Sequence, residues 1–294
     1  MKPRSLLAIL ATVLLVSSNS SAYELTSLGL DGGWKDQPVQ FVLDQDEFTT
    51  DNGLTVNDVE DALLNAFGTW ASADTQDKLE FLQLSDGGGN YDVFDGSGGS
   101  LDQTADWTYA NITIGGWLDK SYFDSLATNG GDSILAVSVT AKLRGGARKP
   151  SWTSDIYFND GFTWSTNHNG DFDIETVALH ELGHSIGFDH ESTAPSVMAP
   201  YYGGVNTTLT EDDLAGLAAL YGGGGGGKKG GGGGGKGGPK RIVEIDTDVF
   251  ITGVTLVDGF TIDFSTAQQV PEPSSSTLLI VGLAFCALRG RRRS

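Results

Sequence analysis

Three of the four histidines in this 294-residue chain lie within eleven residues, at His180, His184 and His190. Residues four apart on an α-helix return to nearly the same face, so His180 and His184 can direct their ring nitrogens at one ion. Glu181 cannot usefully join that ligand set, but its carboxylate can reach a water molecule beside the ion and accept a proton. The segment therefore predicts a helix that carries two metal ligands and one general base.

The third histidine requires the helix to end before it. A helix that continued straight would carry His190 away from the other two imidazoles, so the chain has to turn sharply. Gly187 stands at that turn, and glycine adopts a positive φ at little cost. Three imidazoles leave one position open, as in catalytic zinc sites, whereas structural zinc sites use four protein ligands. The spacing predicts one catalytic Zn2+ ion held by His180, His184 and His190.

The full motif is H-E-x-x-H-x-x-G-x-x-H, and a methionine follows it at Met198, within the segment Ser196–Tyr202. An ordinary amphipathic surface helix would leave the spacing of the three histidines unexplained. The motif and the methionine resemble those of the metzincin metalloproteases, in which a methionine turn lies under the zinc site. The resemblance implies metal-assisted hydrolysis of protein or peptide substrates.

The apolar pattern of residues 23–221 predicts one α+β domain. Thr55 can cap a helix that begins near Val56 and carries an apolar stripe up to Trp70, and Thr210 can cap a last helix. The order of elements predicts a mixed, mostly parallel, twisted sheet with the long helices on one side. The zinc cleft would lie below an edge strand, with which an extended peptide could pair. Strands are predicted at 38–43, 79–84, 110–114, 134–143 and 155–159.

The closing segment Leu209–Gly222 is similar to the last helix of the matrixins, the family of matrix metalloproteases and their bacterial relatives. The helix end Ala66–Trp70 is similar to the start of a matrixin catalytic domain. Glu191 follows the third histidine, where matrixins usually carry Ser or Thr and astacins carry Glu. An astacin-like assignment therefore stays open, and it would change the family but not the chemistry.

The matrixin resemblance assigns a role to each matching residue of this sequence. It implies that Glu181 acts first as base and then as proton donor. It implies that Met198 forms the hydrophobic floor of the site. It also implies that Pro200 and Tyr202 form the wall of the pocket that takes the side chain just after the scissile bond. The zinc ligands that it implies are His180, His184 and His190.

The sequence lacks several residues that bind additional metal ions in animal matrixins. Tyr157 stands where those enzymes place a histidine for a structural zinc, so we predict no second zinc site. Asn159 and Phe162 replace carboxylates that hold calcium in that family. One later loop, at residues 167–173, could still bind a calcium ion (Ca2+). The alternative is that this loop only connects two elements and caps the next helix. The polar residues of that loop are Asn167, Asn169, Asp171 and Asp173.

Acidic residues dominate the composition, with 38 Asp and Glu against 18 Lys and Arg and a formal net charge of −20. Phosphate binding needs a basic face, so the composition excludes nucleic acid as a partner. The acidity fits either solubility in a salty medium or carboxylate loops that hold calcium. Asp173 and Asp189 could accept hydrogen bonds from the ligand imidazoles, or they could be ordinary surface carboxylates.

Both ends of the chain carry targeting features. Residues 1–22 combine basic residues, a short apolar run and small residues, which predicts a signal peptide. Residues 270–294 combine Pro-Glu-Pro, a short membrane span and an arginine cluster, and they resemble the PEP-CTERM sorting signal that an exosortase processes in Gram-negative bacteria. A plain membrane anchor is the alternative. The prediction is export to the bacterial cell-envelope surface, or to the extracellular space after the tail is processed.

Two further segments lie between the catalytic domain and the tail. Residues 222–240 are almost all glycine and lysine and predict a flexible linker. Residues 241–269 predict a small β module that pairs either with the catalytic domain or with something outside it. The lone cysteine, Cys286, lies in the tail, so we predict no disulfide in the catalytic domain.

These features together predict a secreted or surface-sorted, zinc-dependent endopeptidase that acts on extracellular proteins. A zinc-activated water would attack the peptide bond, and Glu181 would serve as the general base. The alternative is a catalytically silent adhesion or matrix protein that has kept the metzincin fold. The intact Glu181 favours the enzyme. The sequence specifies neither the natural substrate nor the oligomeric state.

Overall fold

The computed structural model of the chain describes residues 23–222, apart from several gaps, and residues 249–256. The predicted signal peptide, most of the linker, the sorting tail and most of the predicted calcium loop lie outside the described residues. Within the described part, no helix is both long and apolar enough to cross a bilayer. The gaps are 26–32, 36, 46–47, 49–53, 93–105, 107–108, 146–148, 167–170 and 192–194.

The secondary structure follows the predicted order. The helices are α1 Val56–Ala73, α2 Lys120–Leu126, α3 Gly130–Ser133, α4 Ile174–Ile186 and α5 Glu211–Tyr221. The strands are β1 Val39–Leu43, β2 Phe81–Gln83, β3 Ile112–Leu118, β4 Ile134–Gly145, β5 Lys149–Asn159, β6 Trp164–Ser165, β7 Phe172–Asp173 and β8 Val249–Leu256. The predicted strands of the domain correspond to β1–β5, and the predicted helices correspond to α1, α4 and α5. The short helices α2 and α3 were not predicted, because four to seven residues show no helical period.

Six strands form one sheet in the order β2-β1-β3-β5-β4-β8. The pairs β1–β2, β1–β3 and β3–β5 are parallel, and β4 is antiparallel to both β5 and β8. The predicted α+β class with a mixed, mostly parallel sheet is confirmed. Strand β8 comes from the predicted β module and lies on the outer edge of β4.

The long helices α1 and α4 pack together on one face of the sheet, as predicted. Helix α1 begins with a capping box, in which Thr55 and Asp58 each bind the other's backbone N–H. Its apolar stripe reaches the sheet, where the ring of Phe67 stacks on Phe41 with centroids 3.8 Å apart. Trp70 is fully buried and donates its indole N–H to the Leu179 carbonyl of α4 at 2.9 Å. Helix α1 thus contacts both the sheet and α4 and helps to position α4 on the sheet.

Asn159 ends strand β5 and binds both α3 and the start of β4. Its side-chain amide donates to the carbonyls of Gly131 and Ile134 at 3.1 and 2.8 Å, and its amide oxygen accepts from the Gly161 N–H at 2.9 Å. The side chain is fully buried, so these bonds are shielded from water. An amide therefore supplies the donors to these carbonyls, at a position where the matrixin resemblance implies a calcium-binding carboxylate.

We expect Asn159→Asp to destabilise the protein by roughly 2 to 4 kcal/mol. The new carboxylate would face two carbonyl oxygens with no proton to donate, whereas Asn159→Gln would keep the donor on a longer side chain. Thermal unfolding of the two variants and the parent measures the difference. An Asn159→Asp variant as stable as the parent would show that the amide donors contribute nothing to holding α3 and the start of β4 against β5.

Candidate metal centre and active site

Helix α4 carries the histidine motif, and capping interactions define both of its ends. Asp173 is buried at the N-cap, where its Oδ1 accepts from the Thr176 N–H at 2.8 Å. At the other end Gly187 takes a φ of 118° and donates its N–H to the Gly183 and His184 carbonyls. A side chain at this φ would be strained, so glycine is required for the turn toward His190.

The structure brings the three predicted ligands together. The Nε2 atom of His184 lies 2.9 Å from Nε2 of His180, which in turn lies 3.3 Å from Nε2 of His190. The ligand atoms of all three lie within 4.8 Å of one another, and His180 and His184 are buried. Three imidazole nitrogens converging on one point form a donor set that zinc accepts.

The second ring nitrogens of two ligands bind backbone carbonyls. Nδ1 of His180 lies 2.7 Å from the Val197 oxygen, and Nδ1 of His184 lies 3.0 Å from the Phe188 oxygen. A carbonyl only accepts, so each Nδ1 carries the proton, which leaves a lone pair on each Nε2 that a metal could bind. The hypothesis that Asp173 or Asp189 accepts from these two imidazoles is therefore wrong, because Asp173 caps α4 and Asp189 is an exposed residue that accepts from the His190 backbone N–H.

Burial keeps the two helical imidazoles neutral. Burial, together with the neighbouring His190, lowers the pKa of His180 to about 3. Burial also lowers the pKa of His184 well below its usual range, with His180 and His190 acting in the same direction. The carbonyl partners only partly oppose these effects. Neutral imidazole is the form that binds a metal, so these two ligands are in their binding form at neutral pH.

Met198 packs against the helix that carries the histidine motif. It is buried, and a Cβ atom built on Gly183 would come within 2.3 Å of the Met198 sulfur. Only glycine at position 183 therefore lets the methionine pack this closely against α4. Glu191 donates its backbone N–H to the Met198 carbonyl at 2.9 Å, which joins the chain after the third histidine to the methionine turn.

A buried carboxylate on α5 holds the methionine turn. Asp213 accepts from the Ser196 hydroxyl at 2.5 Å, from the Val197 N–H at 3.2 Å and from the Thr210 N–H at 2.7 Å. Val197 is the residue whose carbonyl orients His180. The predicted capping motif of α5 thus also positions a predicted metal ligand, and nothing in the local sequence pattern indicates this second role.

We expect Asp213→Ala to cost about 2 to 4 kcal/mol of folding stability, because several buried donors would lose their acceptor. We also expect zinc affinity to fall about 10- to 100-fold, because the Val197 carbonyl would no longer be held against His180. Glu211→Ala, on the exposed side of the same helical turn, is the matched control. Chemical unfolding and zinc titration measure the two effects. Unchanged zinc affinity in Asp213→Ala would limit Asp213 to a structural role.

Two aromatic side chains hold the C-terminal end of α4. The indole N–H of Trp34 donates to the Ser185 carbonyl at 2.9 Å, and the Tyr221 hydroxyl donates to the Ile186 carbonyl at 3.1 Å. Both carbonyls belong to the last helical turn, which lacks partners within the helix. Burial raises the pKa of Tyr221, so its hydroxyl keeps the proton that it donates.

A cavity of about 170 Å3, partly open to solvent, lies beside the triad and is lined in part by His180, Val197 and Tyr202. The Tyr202 hydroxyl accepts from the Asp173 N–H at 3.1 Å, which ties this wall to the start of α4. Pro200 belongs to the same segment but is not among the lining residues. Glu181 is fully buried on α4, one residue after the first ligand.

Comparison with known proteins agrees with this geometry. The chain is 27% identical to karilysin of Tannerella forsythia over 82% of this chain and 43% of karilysin. It is 29% identical to the hatching enzyme of Paracentrotus lividus over 58% of this chain and 23% of that enzyme. It is 40% identical to matrilysin of Rattus norvegicus over 40% of this chain and 42% of matrilysin. The matches thus span less than half of each of these relatives.

The family pattern described as matrixin matches residues 33–222, which include every residue described above for the site. The match begins just before Trp34 and ends just after Tyr221, the two residues that hold the end of α4. On this match, which covers more than half of its length, the chain belongs to the matrixin family.

Proposed function

We propose that this chain is a zinc-dependent endopeptidase in which His180, His184 and His190 bind the metal and Glu181 is the general base. The observation that carries the proposal is the convergence of the three Nε2 atoms. Backbone carbonyls bind the Nδ1 atoms of His180 and His184, and Glu181 lies on the same helix as these two histidines. The donor set consists of three imidazoles, which is the ligand set of a catalytic zinc site.

When bound, Zn2+ lowers the pKa of a water molecule toward neutrality and polarises the peptide carbonyl. Glu181 accepts the proton of the attacking water and passes it to the leaving amine. The Val197 and Phe188 carbonyls hold His180 and His184 in the required tautomer and orientation. Met198 excludes water from beneath the site, since it is buried against Gly183.

The cavity beside His180 supports a protein or peptide as substrate. We propose that it takes the side chain that follows the scissile bond, with Tyr202 as part of its wall and Pro200 shaping the segment that carries it. Exposed Tyr201 and Val205 also line the cavity, so an incoming side chain meets apolar surface at the entrance. Thr176, Ser196 and Asn206 also line the cavity, so it offers the incoming side chain both apolar and polar contacts.

We further propose that the enzyme is exported and sorted to the bacterial cell envelope. Support comes from the sequence alone, through the signal-like residues 1–22 and the PEP-CTERM-like residues 270–294. The partners implied are an exosortase and the membrane, both through the tail. Extracellular proteins would then be the accessible substrates.

The test is cleavage of casein and of a peptide library by the purified full chain, with zinc measured by elemental analysis. We expect one zinc per chain, cleavage that a chelator abolishes, and recovery when zinc is restored. A chain that holds one zinc but cleaves no protein and no library peptide would favour the silent adhesion protein. A folded chain without stoichiometric metal would contradict the proposed function.

A further inference from the structure

The outer edge of β4 is occupied by this chain's own strand β8. The two strands are antiparallel, and Ala136, Val137 and Ser138 lie opposite Thr255, Val254 and Gly253. The other edge of β4 is paired with β5, so β8 takes the one side of β4 that could accept another strand. A sheet edge offers its backbone N–H and C=O groups to any extended chain, whatever its sequence.

This paired part of β4 lies against the helix that carries the metal motif. The Ser138 hydroxyl, opposite Gly253, is 2.9 Å from the hydroxyl of Ser185, which follows the ligand His184 in the chain. Strand β8 itself lies beside α4, with Cα atoms of the two elements within 8 Å of each other. An extended peptide that paired with β4 beside the metal motif would therefore need the position that β8 holds.

We propose that residues 249–256 are an intramolecular competitor of the substrate, and that they must leave the β4 edge before a protein substrate can bind along it. This inference rests on the proposed function. One edge accepts one strand at a time, so β8 and a substrate exclude each other. The antiparallel orientation of β8 is one that a peptide could also adopt.

The register of β8 supports a strand that can detach. The pairing shifts twice within eight residues, between Ile134 and Ala136 and again between Ser138 and Val139. Each shift interrupts the ladder of backbone hydrogen bonds, so β8 binds less strongly than a continuous strand of its length. Residues 223–248 join β8 to the domain, and their glycine-rich sequence predicts a tether that keeps the strand at roughly millimolar effective concentration. Strand β8 would therefore occupy the β4 edge when no substrate is present and would leave it when a substrate binds.

The first variant releases β8 in the full chain. Successive N–H groups of a strand point to opposite edges, so replacing two adjacent residues by proline removes at least one donor to β4. We expect Val254→Pro with Thr255→Pro to lower KM for a peptide substrate at least about fivefold, at unchanged kcat, because the tethered competitor is lost. Gly231→Pro with Gly232→Pro, in the glycine-rich tract, is the matched control and should behave like the parent.

The second variant locks β8 in place. Val137 and Val254 lie directly opposite each other, the arrangement in which a cysteine pair can bridge two antiparallel strands. We expect Val137→Cys with Val254→Cys, made in a Cys286→Ser background, to lose peptide cleavage when oxidised. Reduction with a phosphine, which spares the zinc, should restore cleavage. Single-cysteine variants in the same background control for the substitutions.

Peptide binding to the same variants, each also carrying Glu181→Gln, separates this inference from the proposed function. If the release variant binds the peptide more tightly than the parent, but no chain that retains Glu181 cleaves it, competition by β8 is supported and the proposed enzyme activity is contradicted. The proposal would be wrong if the release variant and the parent had equal KM and equal peptide affinity, and if the oxidised lock were fully active. Strand β8 would then be a permanent part of the sheet that does not overlap the substrate. The lock decides the question if the proline variant does not fold.

Discussion

Glu181→Ala should retain one zinc per chain and lose at least about two orders of magnitude in kcat, the usual scale for a general base. The three predicted ligand imidazoles, and the carbonyls that orient two of them, are separate from the Glu181 carboxylate, so metal binding should survive. The proton of the attacking water would have no acceptor in the protein, and the leaving amine would have no donor. Casein cleavage and elemental analysis of the same sample measure the two properties together.

Glu175→Ala is the matched control for this variant. Glu175 lies on the same helix, in its first turn, where its carboxylate accepts from the Asn65 side chain rather than facing the triad. Its replacement should leave kcat within about twofold of the parent, since Glu175 binds Asn65 and does not line the cavity beside the triad. A Glu181→Ala variant that cleaves casein as fast as the parent would remove Glu181 from the role of base. Loss of zinc from that variant would instead assign Glu181 to the support of the ligands.

The sequence was sufficient to predict the features that local physics determines. The capping residues Thr55 and Thr210 and the apolar stripe of α1 follow from hydrogen bonding and helical periodicity, and the structure has both helices at those positions. The positive φ of Gly187 follows from the need to bring His190 back to the other ligands. Each of these features involves residues close in the chain, so a pattern in the sequence records it.

The features that the sequence could not predict depend on contacts between distant residues. The carbonyls that orient His180 and His184 carry no side-chain signature, so acidic neighbours such as Asp173 were considered in their place. The bond from Trp34 to the Ser185 carbonyl spans 151 residues. The pairing of β8 with β4 likewise rests on backbone groups that every sequence has. Register across such distances is fixed by tertiary packing, which periodicity does not reveal.

His184→Ala should remove zinc binding under conditions in which the parent is saturated. Zinc sites with four protein ligands bind with about 10 to 16 kcal/mol, so one ligand contributes roughly 3 to 4 kcal/mol and its loss weakens binding about 100- to 1,000-fold. The structure makes the effect of this ligand large, because His184 is fully buried and its Nδ1 is held by the Phe188 carbonyl. Casein cleavage should fall with zinc occupancy.

His168→Ala is the matched control, because His168 is the one histidine outside the motif. A ligand that binds the folded state raises its stability by about 2.7 kcal/mol at 100 times its dissociation constant. Zinc should therefore raise the unfolding temperature of the parent and of His168→Ala, but not that of His184→Ala at the same concentration. Equal shifts in all three proteins would place the bound zinc outside the triad. Loss of the shift in both variants would add His168 to the ligand set and make the site one with four protein ligands, which leaves no position for water.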